Sequence, residues 1–150
     1  MNSIVEYALS IVSNIAKTYN KEVKDSFRAR ARSFASDVFF NGAAYVFSVT
    51  ASRSSAKAVE YGLKENNLEK LINAYKNMDF LKKLSLKEKA EEIAYALYGS
   101  LLLFVLKNIG VLKASTLAEA IRASIGNIVI DKNASEVAIW FKRFAEAYIP

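Results

Sequence analysis

The chain has no cysteine and no histidine. Disulfides, redox thiols and thiolate or imidazole metal sites are excluded, as are a Cys nucleophile, a Ser-His pair and an imidazole base. Proline occurs once, at position 150, and the five glycines, at 42, 62, 99, 110 and 126, stand apart from one another. That spacing excludes a glycine-rich phosphate loop. With so few breakers, the composition points away from sheet proteins and towards an all-α chain. The uncharged run Ile93 to Leu106, interrupted by Gly99 and Ser100, is short of the roughly 18–20 residues that cross a bilayer. Met1 to Ala16 has no Lys or Arg and contains Glu6, unlike the positively charged start of a secretory signal. A soluble cytoplasmic protein without membrane contact is expected.

The chemistry left to the chain is that of carboxylates and lysines. Most acids have a nearby lysine, and only Glu88, Glu91 and Glu92 cluster at helical spacing. They follow a capping sequence and favour a helix N-terminus electrostatically, so they are not read as a metal site. No catalytic residue, cofactor, metal or small-molecule substrate is expected, and the chain is read as a non-enzyme.

What is present is a sequence of 150 residues, 53% hydrophobic and 24% charged. That length suits one domain able to bury roughly 68–70% of its unfolded surface. The pattern predicts a single all-α bundle of about six helices. The first runs from Asn2 to Tyr19, capped by Asn2 or Ser3, with Ile4, Ala8, Ile11, Val12 and Ile15 on one face. A second extends from Lys21 to Thr50, kinked at Asn41-Gly42 or, alternatively, broken there by a turn. A third spans 56–76. Ser85 and Glu88 form a capping box ahead of a long central helix, Leu86 to Ile109, which Gly110 ends. Thr116 and Glu119 form another box, for a helix ended by Gly126. Ile128 to Ile130 reads as a buried connection or short extended piece, after which Asn133 caps the last helix. Val137, Trp140, Phe141, Phe144 and Tyr148 give that helix an aromatic face,.

The net charge is +6, and the segment 17–57 holds eight cations against three carboxylates, so most of the positive charge is local. At 100° per residue Lys24, Arg28 and Arg32 share one face of the second helix, beside an apolar stripe of Phe27, Ala31, Phe34, Ala35 and Val38,. Like charges one turn apart destabilise a helix by roughly 0.2–0.5 kcal/mol per pair. Such a stripe is either a solvated face or a surface for a polyanion such as RNA. Arg30 points elsewhere; Arg30, Arg53 and Lys57 are secondary candidates. From Lys57 to Glu92 lysines and acids are well mixed, as on a solvated surface.

Two segments, Phe39 to Phe47 (FFNGAAYVF) and Ala138 to Ala147 (AIWFKRFAEA), resemble the small helical subunit of the type III-B CRISPR (Cmr) RNA-guided effector complex. In that family a long second helix carries Asn-Gly within an apolar run, and the last helix ends in a Trp, a basic pair and then Phe-Ala. The likeness extends to most of the chain in layout and is specific over these two segments. It implies a non-catalytic all-α subunit that stacks in copies along the complex beside other subunits and helps form the basic groove for guide and target RNA. Carried over, the basic pair falls on Lys142 and Arg143, for which Glu146 is an alternative salt-bridge partner. Met1 to Ala16 departs from the family, since basic residues are expected there. The competing reading is a helical protein–protein adaptor or homo-oligomeric bundle without nucleic-acid contact. A DNA-binding helix-turn-helix over 116–144 is disfavoured, because the expected connection from Gly126 to Asn133 exceeds the usual 3–4 residues.

Overall fold

The computed structural model describes residues 2–150, without the side chain of Asn2, so the cap read at Asn2 lies outside the described residues. Those residues form one all-helical domain: α1 (Asn2–Thr18), α2 (Lys21–Asn41), α3 (Ala43–Arg53), α4 (Ala56–Lys64), α5 (Leu68–Ala74), α6 (Met78–Lys83), α7 (Ala90–Asn108), α8 (Leu117–Ser124) and α9 (Ile128–Tyr148). Nine helices among the described residues replace the roughly six expected, and each difference traces to particular residues.

The rod expected from Lys21 to Thr50 is two helices. Gly42 sits at φ 86°, ψ 170°, a region that is essentially glycine-only. The Ala43 amide that opens α3 then donates to Asp131 Oδ1 at 2.9 Å. A carboxylate on α9 therefore caps a helix far away in sequence, which no local pattern reveals. Further on, the helix expected over 56–76 divides at Glu65 to Asn67. Lys107 Nζ donates to the Leu63 carbonyl at 2.8 Å and to Asn66 Oδ1 at 3.0 Å. Lys107 thus satisfies an orphan carbonyl at the end of α4.

Ser85 does not cap the central helix. It stands at φ 58°, with its amide donating to the Lys82 carbonyl and the Leu86 amide to the Leu81 carbonyl. This is a Schellman exit from α6, accompanied by the buried pair Leu81 and Leu86,. The serine that looked like a start belongs to a stop, and α7 begins at Ala90 instead. Gly110, at φ 84°, closes α7 with the same bond pattern as expected. Thr116 caps α8, accepting from the Glu119 amide. The last helix starts earlier than expected: Asn127, not Asn133, accepts from the Ile130 amide, so 128–130 form its first turn.

Every residue of α7 from Ala96 to Leu106 is buried. It is the central rod, with α2, α3, α4 and α9 around it. Two glycines permit close crossings, Gly62 against the backbone of α7 and Gly99 against side chains of α3 and α4. A Cβ on Gly62 would lie 2.0 Å from the Ser100 carbonyl oxygen, and one on Gly99 would lie 2.3 Å from Thr50 Oγ1. The rings of Phe27, Phe34, Tyr98 and Phe141 join α2, α7 and α9, with centroids 4.8 Å apart for Phe34 and Tyr98 and 5.4 Å for Tyr98 and Phe141. Tyr98 is packing, as its place in the uncharged run implied.

Candidate nucleic-acid interface

Helices α2 and α9 run antiparallel. Gly42 at the end of α2 meets Asp131 at the start of α9, Phe27 lies 6.3 Å from Phe141, and Arg32 reaches Glu146 near the end of α9. Along this seam α2 buries Val23, Phe27, Ala31, Phe34 and Val38. The predicted stripe of cations stands beside that buried face. Its members have three different environments.

Lys24 is half-buried, and its Nζ donates to the Ala16 carbonyl at 3.4 Å, one of the unpaired carbonyls in the last turn of α1. Arg28 is also half-buried, and its Nε is buried with no hydrogen-bond partner among the described residues. Arg32 is exposed and its Nε lies 3.2 Å from Glu146 Oε2, the two side chains being 47% and 40% exposed. An ion pair that open is worth about 0–1 kcal/mol. The stripe read from the sequence is thus made of three unlike cations, two of which, Lys24 and Arg32, have a partner within the molecule.

The α9 pair is freer than the sequence suggested. Glu146, the alternative partner for Lys142 and Arg143, is taken by Arg32. Lys142 is half-buried and stands one turn before Glu146, on the same face of α9,. Arg143 is exposed, with Cζ 5.7 Å from the Trp140 ring centroid. Of the eight candidate cations, Arg32 alone forms an ion pair with a carboxylate among the described residues.

Arg30 leaves the seam, as expected, and its destination was not legible. Its Nη1 donates to Tyr95 Oη at 2.6 Å, and its Cζ lies 5.2 Å from that ring's centroid. Arg53 shares a cleft of about 570 Å³ with Tyr95, Lys89, Glu91 and Glu92. Arg30 and Arg53 thus gather around Tyr95, away from Lys24, Arg28 and Arg32. Lys57 is exposed in the first turn of α4. Lys89 went unnoticed because it looked like part of a solvated run; its place depends on where α7 begins.

The turn from α8 to α9 is three residues, Ile125 to Asn127, so the length objection to a helix-turn-helix is removed. The recognition position is unsuitable for another reason. A recognition helix contacts bases through its N-terminal residues, and here those are Ile128, Val129 and the acidic Asp131. Among the described residues no group of three or more Asp or Glu is placed to hold a metal ion. No helix among them is long and apolar enough to cross a membrane. Comparison with protein-family models, curated proteins and solved structures returns no match.

Proposed function

We propose that this chain is a non-catalytic, cytoplasmic small subunit of a type III-B CRISPR (Cmr) RNA-guided effector complex. In this reading it associates with copies of itself and with other subunits, and lends a basic surface to the groove for guide and target RNA. The observation that supports it is the gathering of Arg28, Arg32, Lys142 and Arg143 on two packed helices, with Glu146 the single acid paired to any of them among the described residues. Lysine and arginine side chains so arranged bind phosphates without reading sequence, since RNA duplexes are recognised chiefly by shape and backbone.

The test is RNA binding by the isolated protein across a salt series. Three engaged phosphates give a slope of roughly −2 to −3 in log affinity against log salt. Replacing Arg28, Arg32, Lys142 and Arg143 together by alanine is expected to weaken binding and flatten that slope by about 0.7 for each phosphate lost. An unchanged affinity and slope in the folded variant would overturn the reading. The alternative, an adaptor without nucleic-acid contact, is favoured by one observation, the exposed apolar surface where α2 ends and α9 starts.

A further inference from the structure

Asparagine is a thermolabile side chain, and among the described side chains all but one asparagine are tied down. Asn20, Asn67 and Asn127 are among those that cap helices. Asn66 and Asn133 are among those held by other hydrogen bonds, from Lys107 Nζ at 3.0 Å and to the Val129 carbonyl at 2.8 Å. Asn41 is the exception. It is exposed, and it alone has no side-chain hydrogen bond among the described residues. It is also the one asparagine that glycine follows. Gly42 has no side chain to hinder approach to its own nitrogen, and it stands at φ 86°, ψ 170° between α2 and α3. Its amide donates to the Val38 carbonyl at 2.9 Å, and the next amide, of Ala43, to Asp131 Oδ1 at 2.9 Å.

We propose that Asn41 is a site of spontaneous deamidation whose rate is held down by the Asp131 cap. In the reaction the Gly42 nitrogen gives up its proton and bonds to Asn41 Cγ. The Cγ–Nδ2 bond breaks, and the amide nitrogen leaves with that proton as ammonia, closing a succinimide ring. Water then opens the ring at either carbonyl. One route leaves aspartate at position 41. The other leaves isoaspartate, in which the main chain runs through the former side chain and gains a methylene. With its hydrogen on the Val38 carbonyl, the Gly42 nitrogen keeps its proton and its helical orientation, so the reaction passes through an opened last turn of α2. The end of a helix opens at little cost in free energy. Here, though, the residue after Gly42 is pinned to α9, and opening has to move against the bond from Ala43 to Asp131.

The product differs from the starting chain in charge and in geometry. Asn41 and Asp131 line the same cleft, together with Lys132 and Glu136, so a new carboxylate joins two acids and one base. Asp131 is close to the junction itself: a Cβ on Gly42 would lie 3.1 Å from its Oδ2. Repulsion between the carboxylates at 41 and 131 weakens the cap on α3, and the extra methylene of isoaspartate shifts α3 relative to α2. The inference is independent of the RNA reading, since none of the cations of the basic stripe takes part.

Peptide mapping by mass spectrometry of the folded full chain, aged in mildly alkaline buffer, tests the proposal. The tryptic fragment 33–53 has Asn41 as its only amide side chain, so loss of ammonia from it reports on this site alone. The wild type is expected to convert there ahead of every other asparagine and to yield isoaspartate as well as aspartate; Asn41→Gln is expected to stop the conversion, since the larger ring closes poorly. Asp131→Ala should speed it roughly fivefold, the factor that one helix-capping bond is worth. Asp131→Asn, which keeps an oxygen acceptor for the Ala43 amide, should stay near the wild-type rate, with circular dichroism confirming that both variants are helical. Amide hydrogen exchange at Gly42 needs no substitution and should rise in parallel with deamidation when mild urea loosens the turn. A folded wild type that keeps fragment 33–53 intact while the urea-unfolded chain converts, or one in which another asparagine reacts first, overturns the site. A folded Asp131→Ala variant that converts at the wild-type rate, or deamidation indifferent to the opening seen by exchange, overturns the role of the cap.

Discussion

The two ends of the α2–α9 seam are built from the same helices, yet the fold uses them differently. At the basic end Lys24 completes the last turn of α1, and Arg32 meets Glu146. At the apolar end Phe39, Phe40 and Ile128 are more than two-thirds exposed. Charges at a surface are satisfied by water or by a chance acid at little net gain. Exposed apolar area has no such resort and is covered only by another surface. The basic end is therefore partly structural and partly available, while the apolar end contributes little to the folded chain by itself.

The largest expected effect comes from the ring that lies beneath both ends. Phe141 is fully buried, against Phe27 and Tyr98, so Phe141→Ala should cost about 3–5 kcal/mol in urea denaturation. Phe40→Ser should stay within about 0.5 kcal/mol of wild type. Comparable losses in the two variants would show that Phe40 belongs to the fold, and the distinction between the ends would collapse.

Next in size is an alkaline effect seated between the ends. Burial holds the Tyr98 phenol well above its ordinary value, and the charge of Asp37 adds to the shift. Tyr75 and Tyr19 are raised as well, first of all by burial. A group whose folded pKa is raised keeps its full contribution below the unfolded value, about 10 for tyrosine, and loses it as pH climbs towards the folded value. Stability should thus fall from about pH 10 upwards. With neither His nor Cys in the sequence, no side chain has an ordinary pKa between about 5 and 8. Tyr98→Phe should reduce the alkaline slope by about 1.4 kcal/mol per pH unit. It should leave neutral stability unchanged or raise it by about 1 kcal/mol, because the buried Tyr98 hydroxyl has no hydrogen-bond partner among the described residues,. An unaltered slope would remove Tyr98 from this role.

The sequence carried the all-α class, the buried stripe of α2, the central rod and the Thr116 cap, because each depends on spacing within one helix. It failed where a distant residue decides a local outcome. Asp131 caps α3, and Lys107 closes α4; neither has a signature near the element it ends. Ser85 carried a start signal, but the Schellman bonds that make it a stop depend on α6, an element too short to show a period. The candidate cations were readable as residues, though not as neighbours. That Glu146 belongs to Arg32 rather than to Lys142 or Arg143 follows from how α2 packs on α9, and so does the separation of Arg30 and Arg53 from the stripe. The exposure of Phe39 and Phe40 was hidden for the opposite reason, since an apolar run reads as buried until the break at Gly42 is known.

The smallest effect on stability is the most informative about the basic end. Glu146→Gln keeps the shape of the side chain and removes its charge from Arg32. Both partners are largely exposed, so the loss in stability should be less than about 1 kcal/mol. If the stripe meets RNA phosphates, releasing Arg32 from its internal partner should raise RNA affinity a few-fold and steepen the salt slope by up to about 0.7, the contribution of one added phosphate contact. The opposite outcome, weaker binding with an unchanged slope, would mean that the Arg32–Glu146 pair positions the seam and that Arg32 itself touches no phosphate. Function would then lie with the surface that α9 presents through Lys142 and Arg143.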